Sequence, residues 1–465
     1  MPDIVLGEWT PDLAPNGHGG LTVCSNVYPI GNGYAPVGGF EAVTAALAGW
    51  DGGGAFTHSD GSTVLLAGKA DGLYSFGGGA WASEHAQAGA KWRFSQHRNI
   101  VVAVSGGAPV AYDLATDAGG ALGGSPPDAT LTCTANEFTV LAGDPAALTT
   151  VTWSGFGNPE EWTAGTNQSG AFPLPDGGKI TGLAGGEYLL VFQRGAIHRF
   201  QYVGGDDVWQ RSKISSEIGC IEPSSICQAG RLVFFLSERG FMLCDGETVT
   251  PIGAEKVDRT FFATYERAAL GMMWAAVNPR HYLACWAMPG NPGQVWQYNW
   301  VLQRWTLVEL ALSGVLGAYT SSLDSDAVDA EYPGGADAID LPMDSPVFAG
   351  GDPRFYVVSP AGVIGTLTGA ALAATLDTAL NEWGGGFVRP HSAFVHGDAT
   401  DVTLRFDARA TLASAPDVRT WAARRDTGWH RGRARGRYIA LGLDIAGAWG
   451  FVRGVTVEHG SGGKR

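Results

Sequence analysis

Residues 187–203 read EYLLVFQRGAIHRFQYV, two short runs of β-favouring residues on either side of a turn that contains Gly195. Runs this short and this rich in branched and aromatic residues are typical of buried strands rather than helices. A glycine between two such runs indicates the tight turn of a β-hairpin. The stretch therefore predicts two adjacent antiparallel strands.

Six further segments repeat this pattern, at residues 62–76, 99–114, 137–153, 231–246, 281–300 and 355–369. Successive hairpins start 37 to 50 residues apart, except that the last one follows a gap of 74 residues. Repeats of about 40 to 50 residues with several strands each are typical of β-propeller blades, whose small sheets bury their faces against one another. We predict an all-β protein, a β-propeller of six or seven blades with a small C-terminal β-module. Separate β-sandwiches are the alternative.

The composition agrees with a packed, turn-rich protein. Of the 465 residues, 45% are hydrophobic and only 16% are charged, which excludes a disordered chain. The 69 glycines form no collagen-like or low-complexity run, so we interpret them as turn formers between short strands. Helical signal is weak: residues 257–270 and 369–380 are the best candidates, each as one short helix or an irregular strand.

Charge divides the chain into unequal parts. The formal net charge is −15, yet residues 389–465 contain 12 Arg and one Lys against six Asp and one Glu. We therefore predict a propeller over residues 1–388 and an arginine-rich C-terminal β-module over residues 389–465. Residues 311–352 lengthen the last spacing, contain eight Asp or Glu and have no Lys or Arg, so they are predicted to be an acidic insertion in the propeller.

The arginine-rich module has its densest charge at residues 424–437, RRDTGWHRGRARGR. Arginine pairs bidentately with carboxylates, and it also binds phosphate and stacks on bases. A protein-docking surface, a nucleic-acid patch and a solvated face therefore remain open. We predict the first, in which carboxylates of a neighbouring chain meet Arg424, Arg425, Arg431, Arg433, Arg435 and Arg437.

Motifs that carry chemistry are missing from the sequence. There is no HExxH, no CxxC pair, no EF-hand loop and no phosphate-binding GxxxxGK[ST], so we expect no catalytic residue, no metal site and no cofactor. Residues 59–63, SDGST, partly match the Asp-box turn of sialidase-type propellers, but they are not repeated and are interpreted as a hairpin turn. The six Cys lie mostly in apolar runs and are interpreted as structural thiols.

The ends and the hydropathy of the chain bear on its location. The start, MPDIVLGEWTPDLAP, has neither a basic region nor an apolar core of a signal peptide, and no stretch approaches 18 uninterrupted apolar residues. We therefore expect a soluble cytosolic protein that is not exported and has no membrane segment.

Residues 153–205 resemble a known family. A Trp-Ser pair, an Asn-Pro turn and a second Trp precede a GG-x-I-x-G segment and an aromatic hairpin, at Trp153, Ser154, Asn158, Pro159, Trp162, Gly177, Gly178, Ile180 and Gly182. In this the chain is similar to the tail hub or nozzle proteins of short-tailed double-stranded DNA bacteriophages, also described as packaged-DNA stabilisation proteins. The resemblance extends over most of the chain and is strongest over residues 151–262.

The resemblance implies a structural virion component with a β-propeller fold. It implies a ring of six copies below the portal and its head-to-tail adaptor, a central channel for DNA exit, and an outer face that anchors tail fibres, spikes or a needle. Such a protein is assembled in the bacterial cytoplasm and is not an enzyme. Duplex DNA carries about one negative charge per 1.7 Å, so an acidic protein is expected to let it pass without tight binding. The alternative is a monomeric propeller that binds or hydrolyses glycans.

Overall fold

The computed structural model of the chain describes residues 3–205, 207–319, 353–422 and 427–462. Its N-terminal part contains short strands that pair with later parts of the chain. They are β1 (Asp3–Val5), β2 (Leu21–Ser25), β3 (Val27–Ile30), β4 (Gly33–Pro36) and β5 (Glu41–Ala42).

Seven four-stranded antiparallel units follow, and we number them as blades 1 to 7. The strands of blades 1 to 4 are, in order, β6 (Gly53–Thr57), β7 (Thr63–Lys69), β8 (Gly72–Gly77) and β9 (Ala80–Ala86); β10 (Arg93–His97), β11 (Ile100–Val104), β12 (Val110–Asp113) and β13 (Ala118–Ala121); β14 (Leu131–Ala135), β15 (Phe138–Ala142), β16 (Thr150–Trp153) and β17 (Gly170–Pro173); β18 (Ile180–Ala184), β19 (Leu189–Gln193), β20 (Ile197–Tyr202) and β21 (Trp209–Ser215).

Blades 5 to 7 complete the ring. Their strands are β22 (Cys227–Ala229), β23 (Leu232–Ser237), β24 (Gly240–Cys244) and β25 (Val249–Pro251); β26 (Trp274–Asn278), β27 (Leu283–Met288), β28 (Gly290–Asn299) and β29 (Arg304–Leu312); β30 (Gly314–Tyr319), β31 (Pro353–Val358) and β32 (Ile364–Thr366). The fourth strand of blade 7 is β5, which comes from before blade 1 in the chain. The last blade is therefore closed by the N-terminal part of the chain.

The first strand of each blade lies innermost, around a common axis. Strand β6 contacts β10 and β30, β14 contacts β10 and β18, and β26 contacts β22 and β30. The buried apolar side chains of the described residues form seven clusters, and each cluster joins one pair of adjacent blades. This arrangement confirms the predicted all-β propeller and shows seven blades.

Helices are few and short in the described residues. Helix α1 (Asp258–Thr264) and a 3₁₀ helix (Arg267–Met272) lie between blades 5 and 6, which agrees with the helical signal at residues 257–270. Further 3₁₀ turns span Thr166–Gln168, Pro223–Ser225 and Pro279–His281. Residues 369–380, for which a short helix and an irregular strand were the alternatives, contain a strand, β33 (Ala374–Thr378).

A two-sheet β-module lies against blades 5 and 6. Besides β33 it contains β34 (Asn381–Glu382), β35 (Val388–Gly397), β36 (Asp401–Arg409), β37 (Asp417–Ala422), β38 (Trp429–Arg431), β39 (Tyr438–Ala446) and β40 (Val452–Ser461). One sheet continues blade 6: its order is β26-β27-β28-β29-β2-β33-β39-β36-β37, with β2 parallel to β29 and β34 on β39. The other sheet has the order β3-β4-β40-β35-β38, with β1 on β40. Their inner faces share one apolar core with the aromatic residues of blades 5 and 6.

The module differs from the predicted division of the chain after residue 388. Strands β1 to β4, β33 and β34 belong to its sheets although they precede that boundary. The physical reason is backbone pairing: β1 and β4 pair with β40, β2 pairs with β33, and β33 pairs with β39, so these strands supply donors and acceptors that the C-terminal strands would otherwise lack.

The acidic insertion also begins later than predicted. Residues 311–319 complete β29 and form β30, and Tyr319 pairs with Pro353 at the start of β31. Residues 320–352 therefore connect two neighbouring strands of blade 7, and they lie outside the described residues.

Candidate functional site

A cavity of about 340 Å³ follows the axis of the propeller. It is lined by residues in or just before the first strand of every blade, among them Gly53, Arg93, Thr132, Gly182, Ser224, Trp274 and Leu316. Because the innermost strand of a blade has a neighbour on one side only, the other backbone edge faces this axis. The cavity is therefore lined by backbone edges and by a few side chains that reach inward.

Arg93 reaches across this cavity. It is the first residue of β10, and its Nη1 donates to the carbonyl of Thr130 at 3.1 Å and, at 3.4 Å, to that of Lys91. Its Nη2 donates to Oγ of Ser224 at 2.8 Å. Ser224 precedes blade 5, which lies opposite blade 2 in the ring, so Arg93 bridges the axis. Burial lowers the pKa of this guanidinium, and the charge of Glu222 opposes that effect.

Lys91 brings a second positive charge to the same end of the channel. Its ammonium lies 4.1 Å from the ring centroid of Trp274, a residue that lines the cavity. Burial lowers the pKa of Lys91; the carboxylate of Asp51 raises it and the charge of Arg93 lowers it further. Among the described residues, neither cation has a carboxylate oxygen at ion-pairing distance. The channel end thus has one partly buried cation in its lining, Arg93, and a second, Lys91, behind the lining residue Trp274; the direct side-chain contacts of both are with neutral groups.

A second cavity, of about 300 Å³, lies on the outer face of the β-module. The arginines that line it are already paired: Arg405 donates to Asp377 at 2.6 Å and to Asp444 at 2.5 and 3.1 Å, and Arg409 donates to Asp407 at 2.8 and 3.1 Å. Charge here is balanced within the chain, in contrast to the channel. The pairs of Arg405 connect β36 with β39 and β33, whereas Arg409 and Asp407 both lie on β36.

The predicted arginine-rich docking residues fall into three groups. Arg424 and Arg425 lie outside the described residues. Arg435 stacks over Phe387 at 5.0 Å, and Arg437 donates to Oε1 of Glu382 at 3.0 Å, so both contact their own module. The remaining two are exposed and have no side-chain partner among the described residues; they are Arg431, at the end of β38, and Arg433.

The structure also shows the SDGST segment and the six cysteines. The SDGST segment is the turn between β6 and β7, in which Oδ1 of Asp60 accepts hydrogen bonds from the backbone and hydroxyl of Ser62. All six cysteines are buried and unbridged, and burial raises the pKa of each thiol. They fit the structural role that the sequence predicts.

Two further kinds of feature are absent from the part of the chain that the structure describes. No group of three or more His, Cys, Asp or Glu residues there could hold a metal ion. None of the helices in those ranges is long and apolar enough to cross a bilayer.

The channel cations were not predicted from the sequence. The signal was present in KWRF at residues 91–94, where basic and aromatic residues alternate at the start of the strand that precedes the apolar run of β11. The sequence gives no indication that Ser224 is the partner of Arg93, because that contact forms only when the seven blades close into the propeller.

Comparisons with known proteins give a likeness in structure only. No protein-family model and no curated protein matches the sequence. BamB from Moraxella catarrhalis is similar over 73% of this chain and 95% of its own, with 12% identity and a TM-score of 0.35. The N-terminal domain of Nup159 is similar over 74% and 98%, with 7% identity and a TM-score of 0.37. The extracellular domain of the one-component system BT4673 from B. thetaiotaomicron is similar over 83% and 44%, with 9% identity and a TM-score of 0.42.

Proposed function

We propose that this chain is a ring-forming subunit of the tail nozzle of a short-tailed double-stranded DNA bacteriophage. The observation that carries the proposal is the resemblance of residues 153–205 to that family. In this role six copies sit below the head-to-tail adaptor, enclose the DNA exit channel and anchor fibres, spikes or a needle. The protein is then a virion component, assembled in the host cytoplasm, and has no catalytic role.

The residues that carry the resemblance hold turns and backbone contacts. Oγ of Ser154 is fully buried, accepts from the backbone of Thr139 at 3.0 Å and donates to the carbonyl of Gly155 at 3.1 Å. Oδ1 of Asn158 accepts from the backbone of Glu160 at 3.0 Å and so shapes the loop after β16. Side chains used in this way support a shared architecture rather than a shared reaction.

The dimensions of the propeller explain why several copies are needed. Its own axis holds a cavity of only about 340 Å³, and Arg93 bridges it. The major groove of duplex DNA alone is about 12 Å wide, so a duplex does not fit through one propeller. A conduit for DNA must therefore be enclosed between subunits.

The uneven charge of the chain supports contacts between two different faces of neighbouring copies, which a closed ring of six copies requires. A ring larger than a dimer uses heterologous interfaces, in which one face of a subunit meets a different face of the next. The chain carries −15 overall, but its last 77 residues carry an excess of cations, among which Arg431 and Arg433 are exposed without partners in the described residues. Such residues can meet carboxylates on the acidic remainder of a neighbouring copy or on the adaptor.

The test is the mass of the assembly, measured on the purified protein alone and after mixing with the adaptor from the same phage. A closed ring of six is expected, with the adaptor required if the subunits alone do not assemble. A single bound copy, or an open filament, would contradict the proposal, and a stable monomer that binds glycans would favour the alternative.

Binding to DNA gives a second measurement on the same material. With a net charge of −15, the protein should bind duplex DNA weakly at about 150 mM salt. Submicromolar binding with a steep salt dependence would argue against a low-friction conduit. Loss of such binding on neutralising Arg431, Arg433 and Arg435 together would identify the module as a DNA-binding surface instead.

A further inference from the structure

We propose that the end of the propeller channel marked by Lys91 and Arg93 binds a small free oxyanion of the size of phosphate. The inference does not depend on the proposed tail function. It rests on the hydrogen bonds that Arg93 leaves unused, on the position of Lys91 and on the size of the cavity.

Two N–H groups of the Arg93 guanidinium make no hydrogen bond to the described residues. An arginine has five N–H groups. Three of them, both on Nη1 and one on Nη2, donate to Lys91, Thr130 and Ser224. The Nε–H and the second Nη2–H have no acceptor among the described residues.

Those two donors are the pair that this chain uses elsewhere to hold oxyanions. In Arg405 the same two nitrogens donate to the carboxylate of Asp444, at 2.5 and 3.1 Å. In Arg194 they donate to Glu238, at 3.0 and 2.6 Å. At the channel the matching carboxylate is missing, while three neutral acceptors already fix the orientation of the guanidinium. A bound oxyanion would complete the bidentate pair.

Lys91 supplies the second charge. Its backbone N–H donates to Oδ2 of Asp51 at 2.8 Å, which fixes the residue beside the channel. Its ammonium rests on the ring of Trp274 and donates to no oxygen among the described residues. Two carboxylates lie nearby, and the charges of Asp51 and Glu222 raise the pKa of both cations. Asp51 accepts from the backbone of Lys91, and Glu222 accepts from the backbone of Ser224 at 3.1 Å, so neither is at ion-pairing distance from the Lys91 ammonium or the Arg93 guanidinium in the described residues.

The cavity limits the size of the ligand. A volume of about 340 Å³ lies at the small end of the range for ligand pockets and has room for a phosphate-sized ion together with waters. The residues around it include Gly53, Gly54 and Gly182, so bare backbone edges approach the site. An oxyanion placed here would lie between blades 2 and 5 and would stabilise the folded propeller.

The experiment compares thermal unfolding of the full chain in phosphate and in chloride at matched ionic strength and pH 7, with calorimetric titration of phosphate. A saturable rise of about 2 °C or more in phosphate over chloride is expected. A melting temperature that is the same in both salts would overturn the proposal, whether or not any variant folds.

Variants locate the site. We expect Arg93→Met to weaken phosphate binding at least tenfold and Lys91→Met at least threefold. The control is Arg98→Met, near the other end of β10, where the guanidinium is exposed and paired with Glu137 at 2.8 Å; it should leave binding unchanged. If Arg93→Met does not fold, Lys91→Met remains informative, because its ammonium makes no hydrogen bond to the described residues. Unchanged binding in Lys91→Met, or equal loss in Arg98→Met, would place the phosphate elsewhere.

Discussion

Ala42 is the antiparallel β-partner of Gly365, so a strand that precedes blade 1 forms the outer edge of blade 7. The neighbouring pair, Glu41 with Thr366, continues this register. The propeller is thereby closed by pairing between strands that lie more than 300 residues apart in the chain. Because no covalent link crosses this point, the stability of the closure depends on how closely the two strands approach.

The approach is too close for a side chain at Gly365. A Cβ there would lie 2.2 Å from the carbonyl oxygen of Glu41 and 2.6 Å from the ring of Phe40. Gly365→Ala should therefore lower the free energy of unfolding by about 1 to 3 kcal/mol, measured by chemical denaturation. Hydrogen exchange should rise first at residues 41–42. The control, Gly317→Ala in the same blade, meets nothing within 4 Å, and equal effects of the two changes would disprove the steric argument.

The contribution of Asp258 to the free energy of unfolding should fall as the pH rises. Its side chain is 8% exposed, Oδ1 accepts from the backbone of Phe241 at 3.0 Å, and Oδ2 has no partner among the described residues. Burial raises the pKa of Asp258 to about 6, and the charge of Asp12 adds to this. A carboxyl with a raised pKa in the folded state stabilises the protein below its unfolded pKa of 3.8, and this contribution is lost as the pH rises towards 6.

The test compares Asp258→Asn with the wild type. The variant should be more stable by about 1 to 3 kcal/mol at pH 7, and the advantage should vanish near pH 3.5. Asp245→Asn is the matched control, and its effect on stability should have the opposite sign. Hydrogen bonds from the backbone of Thr248 and Glu247 lower the pKa of Asp245. That variant should be less stable than the wild type at pH 7. A pH-independent effect of Asp258→Asn would refute the assignment.

Arg405→Ala should destabilise the β-module. The guanidinium lies between Asp377 and Asp444 on adjacent strands, and its removal leaves two carboxylates near each other without a counter-charge. A loss of about 1 to 3 kcal/mol is expected at pH 7, and a smaller loss at pH 4, because burial raises the pKa of Asp377 and this carboxylate then takes up a proton. Arg419→Ala removes an exposed pair with Asp417 and should cost about 0.5 kcal/mol or less. Similar losses for both variants would rule out a special role for Arg405.

Alanine substitutions along the arginine-rich segment should give unequal results. Arg431→Ala and Arg433→Ala should weaken ring assembly or adaptor binding tenfold or more without changing the melting temperature of the monomer, because both side chains are exposed and unpaired in the described residues. Arg437→Ala should lower monomer stability slightly, since it removes the contact with Glu382. Assembly that is indifferent to every substitution, including Arg424→Ala and Arg425→Ala, would mean that the segment is a solvated face.

The sequence alone was enough to predict the blades, because a hairpin is a local structure. In residues 187–203 the two apolar runs and the glycine between them became β19 and β20, which pair directly across the turn. Each of the other predicted hairpins likewise contributed paired strands to one blade. The seven repeats and their spacing then implied a ring, since sheets this small need neighbours to bury both faces.

Tertiary structure alone decided the contacts between distant segments. The pairing of Ala42 with Gly365 and the bridge from Arg93 to Ser224 have no sequence signature, because a strand edge or a guanidinium accepts many partners. The same holds for β1 to β4, which look like ordinary short strands and join the C-terminal module only because its sheets leave unpaired backbone edges. Local propensity and periodicity act over a few residues, whereas closure of the ring selects among partners hundreds of residues apart, and that choice depends on the packing of the whole chain.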